Sequence, residues 1–148
     1  MLLKPLLFPV AALALLGVGA AAAQDIYQER EALMKGFGKQ IGVVKGVVVE
    51  GNGTLADVVT AAQVIVAGDA KIPSMFPQGT NAGESEALPV IWEQWSTFEE
   101  RATNMGQLAA KLEQAAASGD QAATLAAFAT LGKDGCGGCH ETFRKKKS

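Results

Sequence analysis

The sequence predicts an all-α protein, an antiparallel (up-down-up-down) four-helix bundle whose last helix carries the chemistry. Three observations lead there. Apolar residues recur at steps of three and four from residue 26 onward, and no strand-like alternation competes with them. One run, Ile91, Trp95, Phe98, Ala102, Met105, Ala109, Leu112 and Ala116, keeps a period near 3.5 without a break, the spacing of a bundle seam. Turn signals leave two short links and one long one, as expected for four helices that pack against their neighbours in chain order.

Residues 1–23 read as a cleaved signal peptide. Lys4 is the only charge before Asp25, and Ala20, Ala21, Ala22 and Ala23 supply the small residues that signal peptidase reads. The competing reading is an uncleaved membrane anchor, since the apolar run is just long enough to consider. Pro5, Pro9 and the alanine-rich end weigh against it. Residues 24–148 then form a single domain, periplasmic and without a membrane segment once mature.

The first helix, predicted over 26–49, has Leu33, Phe37, Ile41, Val44 and Val48 on one face, with Met34 beside them. Gly36, Gly38, Gly42 and Gly46 weaken it by up to about 1 kcal/mol each relative to alanine, so it needs tertiary support. Gly51-Asn52-Gly53 ends it. Thr54 and Asp57 form a capping-box variant that starts the second helix, whose face is Leu55, Val58, Val59, Ala62, Ile65 and Val66. A loop over 69–89 follows, long enough to predict that it is pinned across one end of the bundle. Pro89 sits near the first turn of the third helix. Ser118-Gly119-Asp120 breaks that helix and caps the fourth, where Ala122, Leu125, Ala129, Gly132, Cys136, His140 and Phe143 continue the spacing.

Thirteen Lys and Arg against fifteen Asp and Glu give −2, and removal of Lys4 leaves −3. A weakly acidic chain without a long basic face makes nucleic acid a poor partner.

Cys136-Gly137-Gly138-Cys139-His140 is the C-x-x-C-H pattern of covalent haem c attachment. The two thiols can add to neighbouring vinyl groups of one macrocycle, and a histidine directly after the second cysteine can swing its ring under the iron. The intervening glycines present nothing to obstruct the porphyrin edge. Other readings are weaker. A redox Cys-x-x-Cys needs a βαβ setting that is absent. A structural zinc needs four ligands and finds three crowded ones. A bridge between these cysteines closes too small a loop to constrain the chain.

His140 is the only histidine, so a second histidine ligand from the same chain is excluded. Met34, Met75 and Met105 remain, and for each the plain alternative is packing. Arg30, one turn before Met34, and Arg144, one turn after His140, are candidates for the haem propionates; the alternative for each is a solvated surface arginine. The tail Arg144-Lys145-Lys146-Lys147 either steers an acidic partner or, more simply, complements the negative end of the last helix.

Four segments carry a family likeness: Arg30-Glu31-Ala32-Leu33-Met34-Lys35, Phe76-Pro77-x-Gly79-Thr80, Ile91-Trp92, and Cys136-x-x-Cys139-His140-x-x-Phe143-Arg144. Through them the chain resembles the class II c-type cytochromes, the cytochrome c′ family, over essentially its whole mature length. The resemblance implies that Met34 overhangs the distal haem face. One branch of that family is low-spin with methionine bound to iron; the other is five-coordinate and binds nitric oxide or carbon monoxide. The loop and the run from Arg30 to Gly38 look closer to the low-spin branch. The implied protein is a mono-haem one-electron carrier with His140 and Met34 as axial ligands, redox proteins as partners, no enzymatic activity, and a monomer or a homodimer through its first two helices. Its rivals are the gas-binding cytochrome c′ and a haem-free exported interaction bundle.

Overall fold

The computed structural model describes residues 18–80 and 85–146, with side chains from residue 25 onward. The expected signal peptide therefore lies largely outside the described residues, and 18–23 form the helical backbone that opens the first helix. In order, the elements are α1 (Val18–Val48), α2 (Leu55–Asp69), a 3₁₀ turn (Pro73–Met75), α3 (Val90–Glu93), α4 (Trp95–Ala117), α5 (Gln121–Thr130), a π-helical segment (Leu131–Gly137) and α6 (Gly138–Phe143). Among the described residues there is no strand, only one bridge between Ala87 and Arg144. None of these helices is long and apolar enough to cross a membrane.

The bundle is closed by α1, α2, α4 and the α5–α6 stretch. α2 packs on α1 and α4, and α4 on α5 and the π segment. The predicted faces of α1, α2 and α4 form the core. Val44, Val58, Ile65, Phe98 and Leu112 are buried, each contributing roughly 1.5–3 kcal/mol of apolar burial. The links behave as their residues dictate. Thr54 donates from its backbone N and its hydroxyl to Asp57 Oδ2, both at 2.8 Å. Asp120 Oδ1 accepts from Ala123 N at 2.9 Å, and Gly119 before it turns at φ 79°, where a side chain would be strained.

Two expectations are corrected. The third helix is split: Gln94, at φ −120° and ψ 46°, separates one turn of helix from α4. On the short side, the Trp92 indole N–H donates to the carbonyls of Phe76 (3.0 Å) and Pro77 (3.1 Å) and ties the loop down. In the fourth helix the inward face is wrong by register, for Ala122, Leu125, Ala129 and Gly132 are exposed. Thr124, Leu131 and Gly135 point inward instead. Thr124 tolerates complete burial because its hydroxyl donates back to the Asp120 carbonyl at 2.6 Å. The wider π turns of 131–137 lie between these residues and Cys136, so a spacing that joins both stretches at 3.6 residues per turn puts Ala122, Leu125 and Ala129 on the wrong face.

Candidate functional site

At the end of the bundle where the 69–89 loop lies, the side chains stop meeting and leave a cavity of about 580 Å³, within the size range of cofactor sites. Its walls are mostly apolar, with Phe37, Ile65, Ile91, Phe98, Leu131 and Phe143 in the lining, and charged residues such as Glu31, Lys35 and Arg101 join them. Phe98 meets Phe143 edge-on at 5.4 Å and Phe76 at 4.8 Å between ring centroids, which stiffens this wall.

Cys136, from the π segment, and Cys139 and His140, from α6, all line this cavity. The π segment thus ends in the attachment motif, a common use of that irregularity. Both cysteines are unbridged. Burial pushes both thiols up, Cys139 to about 11. Redox-active Cys-x-x-Cys pairs need the opposite shift, a stabilised thiolate. His140 has its pKa lowered, mainly by burial and then by the Arg144 charge, with Glu86 opposing. A neutral imidazole is the form that ligates metal.

Met34 lines the same cavity from α1, and so does Met105 from α4. Met105 is buried and packed over Gly135, where a Cβ would lie 3.4 Å from its Cγ. Met75 is not part of the lining; its carbonyl is held by Arg30.

Both candidate arginines line the cavity, and both also hold the loop. Arg30 is 6% exposed and commits all five of its N–H donors to the loop. Nε and Nη2 reach the Met75 carbonyl at 3.0 and 2.8 Å. Nη1 reaches the Thr80 carbonyl at 3.3 Å and the Ser85 hydroxyl at 3.1 Å, and Nη2 the Thr80 hydroxyl at 2.9 Å. Its guanidinium also sits 3.9 Å from the Phe76 ring centroid. No donor is left for a propionate in this arrangement. Arg144 pairs with Glu86 Oε2 at 2.6 Å through both Nε and Nη2. The tail does more than complement a helix end. Lys145 Nζ donates to the Ser85 carbonyl at 2.8 Å, and Lys145 N to the Glu86 carbonyl at 2.8 Å. Lys147 lies outside the described residues.

Sequence reasoning missed Arg101 and the Ser85–Glu86 clasp. Arg101 lines the cavity, and its Nη1 lies 3.5 Å from where a Cβ on Gly138 would stand. It falls one position off the apolar seam, so periodicity hides it. Ser85 and Glu86 lie in a loop without a pattern.

A helical bundle with two thiols and an imidazole on the wall of a deep apolar cavity is the architecture of a haem c protein, and the residues fit that group. The family model described as Cytochrome C′ matches residues 25–144, so the chain belongs to the cytochrome c′ family and carries covalently bound haem c. It is 38% identical over 121 residues to cytochrome c-556 of Agrobacterium tumefaciens (strain II Chrys), covering 81% of this chain and 97% of that one. Cytochrome c prime from Shewanella frigidimarina superposes with a TM-score of 0.77 at 29% identity, covering 84% of this chain and 97% of that one. The nitric oxide complex of a cytochrome c prime variant from Alcaligenes xylosoxidans gives 0.75 at 27% identity, with the same coverage. Membership in a haem c family removes the haem-free bundle from consideration.

Proposed function

We propose that this chain is an exported, periplasmic one-electron carrier, and no enzyme, in which His140 and Met34 are the axial ligands of the haem iron. When bound, the haem supplies a one-electron iron couple and nothing the side chains themselves could provide. The observation that carries the reading is that Met34 and His140, from α1 and α6, line one cavity together with both attachment cysteines. Met75 is outside that lining, and Met105 is packed against Gly135. The protein's part is to hold the sulfur and the imidazole in fixed positions and to keep water away with Phe37, Ile65 and Phe98. A thioether ligand raises the potential relative to a second nitrogen ligand, which suits a carrier. Cleavage after Ala23 would deliver residues 24–148 to the compartment where haem is attached, and the mass of the mature protein tests it.

Met34→Ala tests the ligation. If sulfur binds the iron, the variant becomes high-spin and reacts with carbon monoxide. An unchanged spectrum removes Met34 from the iron.

The second reading is a five-coordinate protein that binds nitric oxide, with Met34 as a lid. What favours it is the Alcaligenes relative, solved as a nitric oxide complex. Val43 of α1 and Val64 of α2, both exposed, are consistent with a homodimer through those helices, which light scattering would detect.

A further inference from the structure

Of the arginine and lysine side chains that line the haem cavity, three are committed elsewhere. The donors of Arg30 are taken up by the 69–89 loop. Lys35 pairs with Glu31 at 3.0 Å, and Arg144 with Glu86 at 2.6 Å. Arg101 is the fourth. Among the described residues it makes no ion pair and no side-chain hydrogen bond. The helix explains why. On α4 the residues three and four away from it are Thr97, Phe98, Asn104 and Met105, and none is an acid. Glu99 and Glu100 adjoin it in sequence but sit on other faces of the helix.

Packing places Arg101 beside the attachment motif. α4 packs on the π segment and on α6. Asn104 Nδ2 donates to the Asp134 carbonyl at 3.4 Å. One turn earlier on the same edge of α4, Arg101 Nη1 lies 3.5 Å from where a Cβ on Gly138 would stand. Gly138 lies between the two cysteines, so the guanidinium stands on the cavity wall next to the thiols. Burial pushes the Cys139 thiol up, and Arg101 is the charge that opposes it. The vinyl groups that accept the thiols and the two propionates occupy opposite edges of the macrocycle. A guanidinium at the attachment edge is therefore badly placed to pair with a propionate, and its charge is left to act on the iron.

We propose that Arg101 tunes the reduction potential of the haem: its unpaired positive charge beside the attachment motif favours ferrous iron and raises the potential. Ferric iron carries one more positive charge than ferrous, so a neighbouring cation disfavours the oxidised form. A guanidinium stays protonated at any working pH, so this contribution does not titrate. Arg101 is exposed, so water and salt weaken it. An exposed charge of this kind shifts an equilibrium by roughly two- to fivefold, which for one electron converts to about 20–40 mV. The inference goes beyond the axial-ligand reading. It needs the haem joined at Cys136 and Cys139 and holds whichever ligand stands opposite His140.

The test is an equilibrium redox titration of the mature holoprotein and three variants, at one pH and low ionic strength. Arg101→Gln should have a potential below wild type by the shift above. Arg101→Glu, which reverses the charge, should fall about twice as far. Arg101→Lys keeps the charge and should stay close to wild type. Salt at about 1 M, where the screening length is about 3 Å, should narrow these differences. A Gln variant at the wild-type potential overturns the proposal, and so does a Lys variant that falls as far as Gln. Arg101 has no partner to lose, so all three variants should unfold with the wild type. Visible spectra of the same samples keep the two readings apart. A high-spin wild type defeats Met34 ligation and leaves the potential series standing, whereas a flat series in a low-spin protein defeats this inference alone.

Discussion

The two ends of the bundle are held by different forces. Away from the haem, Val44, Val58, Ala62, Ala109 and Leu112 are fully or almost fully buried against one another, and the helices are joined by tight turns. At the haem end the apolar side chains meet along the wall, as Phe98 does Phe76 and Phe143, but leave a cavity between the helices. There the loop is tied down by polar contacts, with Arg30 on Met75, Thr80 and Ser85, Trp92 on Phe76 and Pro77, and Arg144 with Lys145 on Ser85 and Glu86. A chain that reserves its hydrophobic surface for a cofactor must close that end by other means.

The comparison can be broken from either side. The largest effect belongs to the cofactor itself. Replacing both Cys136 and Cys139 with alanine should abolish covalent haem, seen as loss of the haem mass, and leave the cavity end without its filling. At the sealed end, Leu112→Ala should cost about 2–5 kcal/mol in denaturant unfolding, because the site is fully buried and cannot collapse easily. Arg30→Ala should cost about 2–3 kcal/mol by leaving the Met75 and Thr80 carbonyls unpaired. Hydrogen exchange should then rise over residues 73–80 with little change in α2 and α4. Lysine should not rescue it, since one ammonium cannot supply five planar donors. A rise spread evenly over the bundle would mean the two ends are not separate.

Smaller effects sharpen the contrast. The folded pKa of Asp69 is raised to about 6 from 3.8. The folded protein therefore binds more protons than the unfolded chain between those values. The contribution is fully present below about pH 3.8 and is lost as pH rises through about 6. With the side chain only half buried, the change amounts to about 1 kcal/mol. Asp69→Asn should remove that component from the stability–pH curve. Arg144→Ala should change stability least, by less than about 1 kcal/mol, since its pair with Glu86 is partly exposed.

Much of this was legible in the sequence, and for physical reasons. Burial leaves a periodic trace, so the faces of α1, α2 and α4 could be read from Phe37, Val58 and Leu112. The attachment motif could be read because its chemistry demands adjacent residues. Where the helix departed from 3.6 residues per turn, as at Leu131, the count failed and misplaced Leu125 and Ala129. Thr124 was hidden because its polar group is satisfied locally. The Arg30 clasp was out of reach because its partners lie 45–55 residues away in a loop without periodicity. Its charge and register mark Arg30 as a cavity residue, and its hydrogen bonds make it the loop's anchor as well.

The central claim is that the sulfur of Met34 and the imidazole of His140 share one iron. The most direct measurement is the visible spectrum of the purified protein, oxidised and reduced, with and without carbon monoxide. The account predicts sharp low-spin bands, a weak far-red sulfur-to-iron band in the oxidised form, and no response to the gas. Broad high-spin bands that shift on adding carbon monoxide would contradict it and make the protein a gas-binding member of its family.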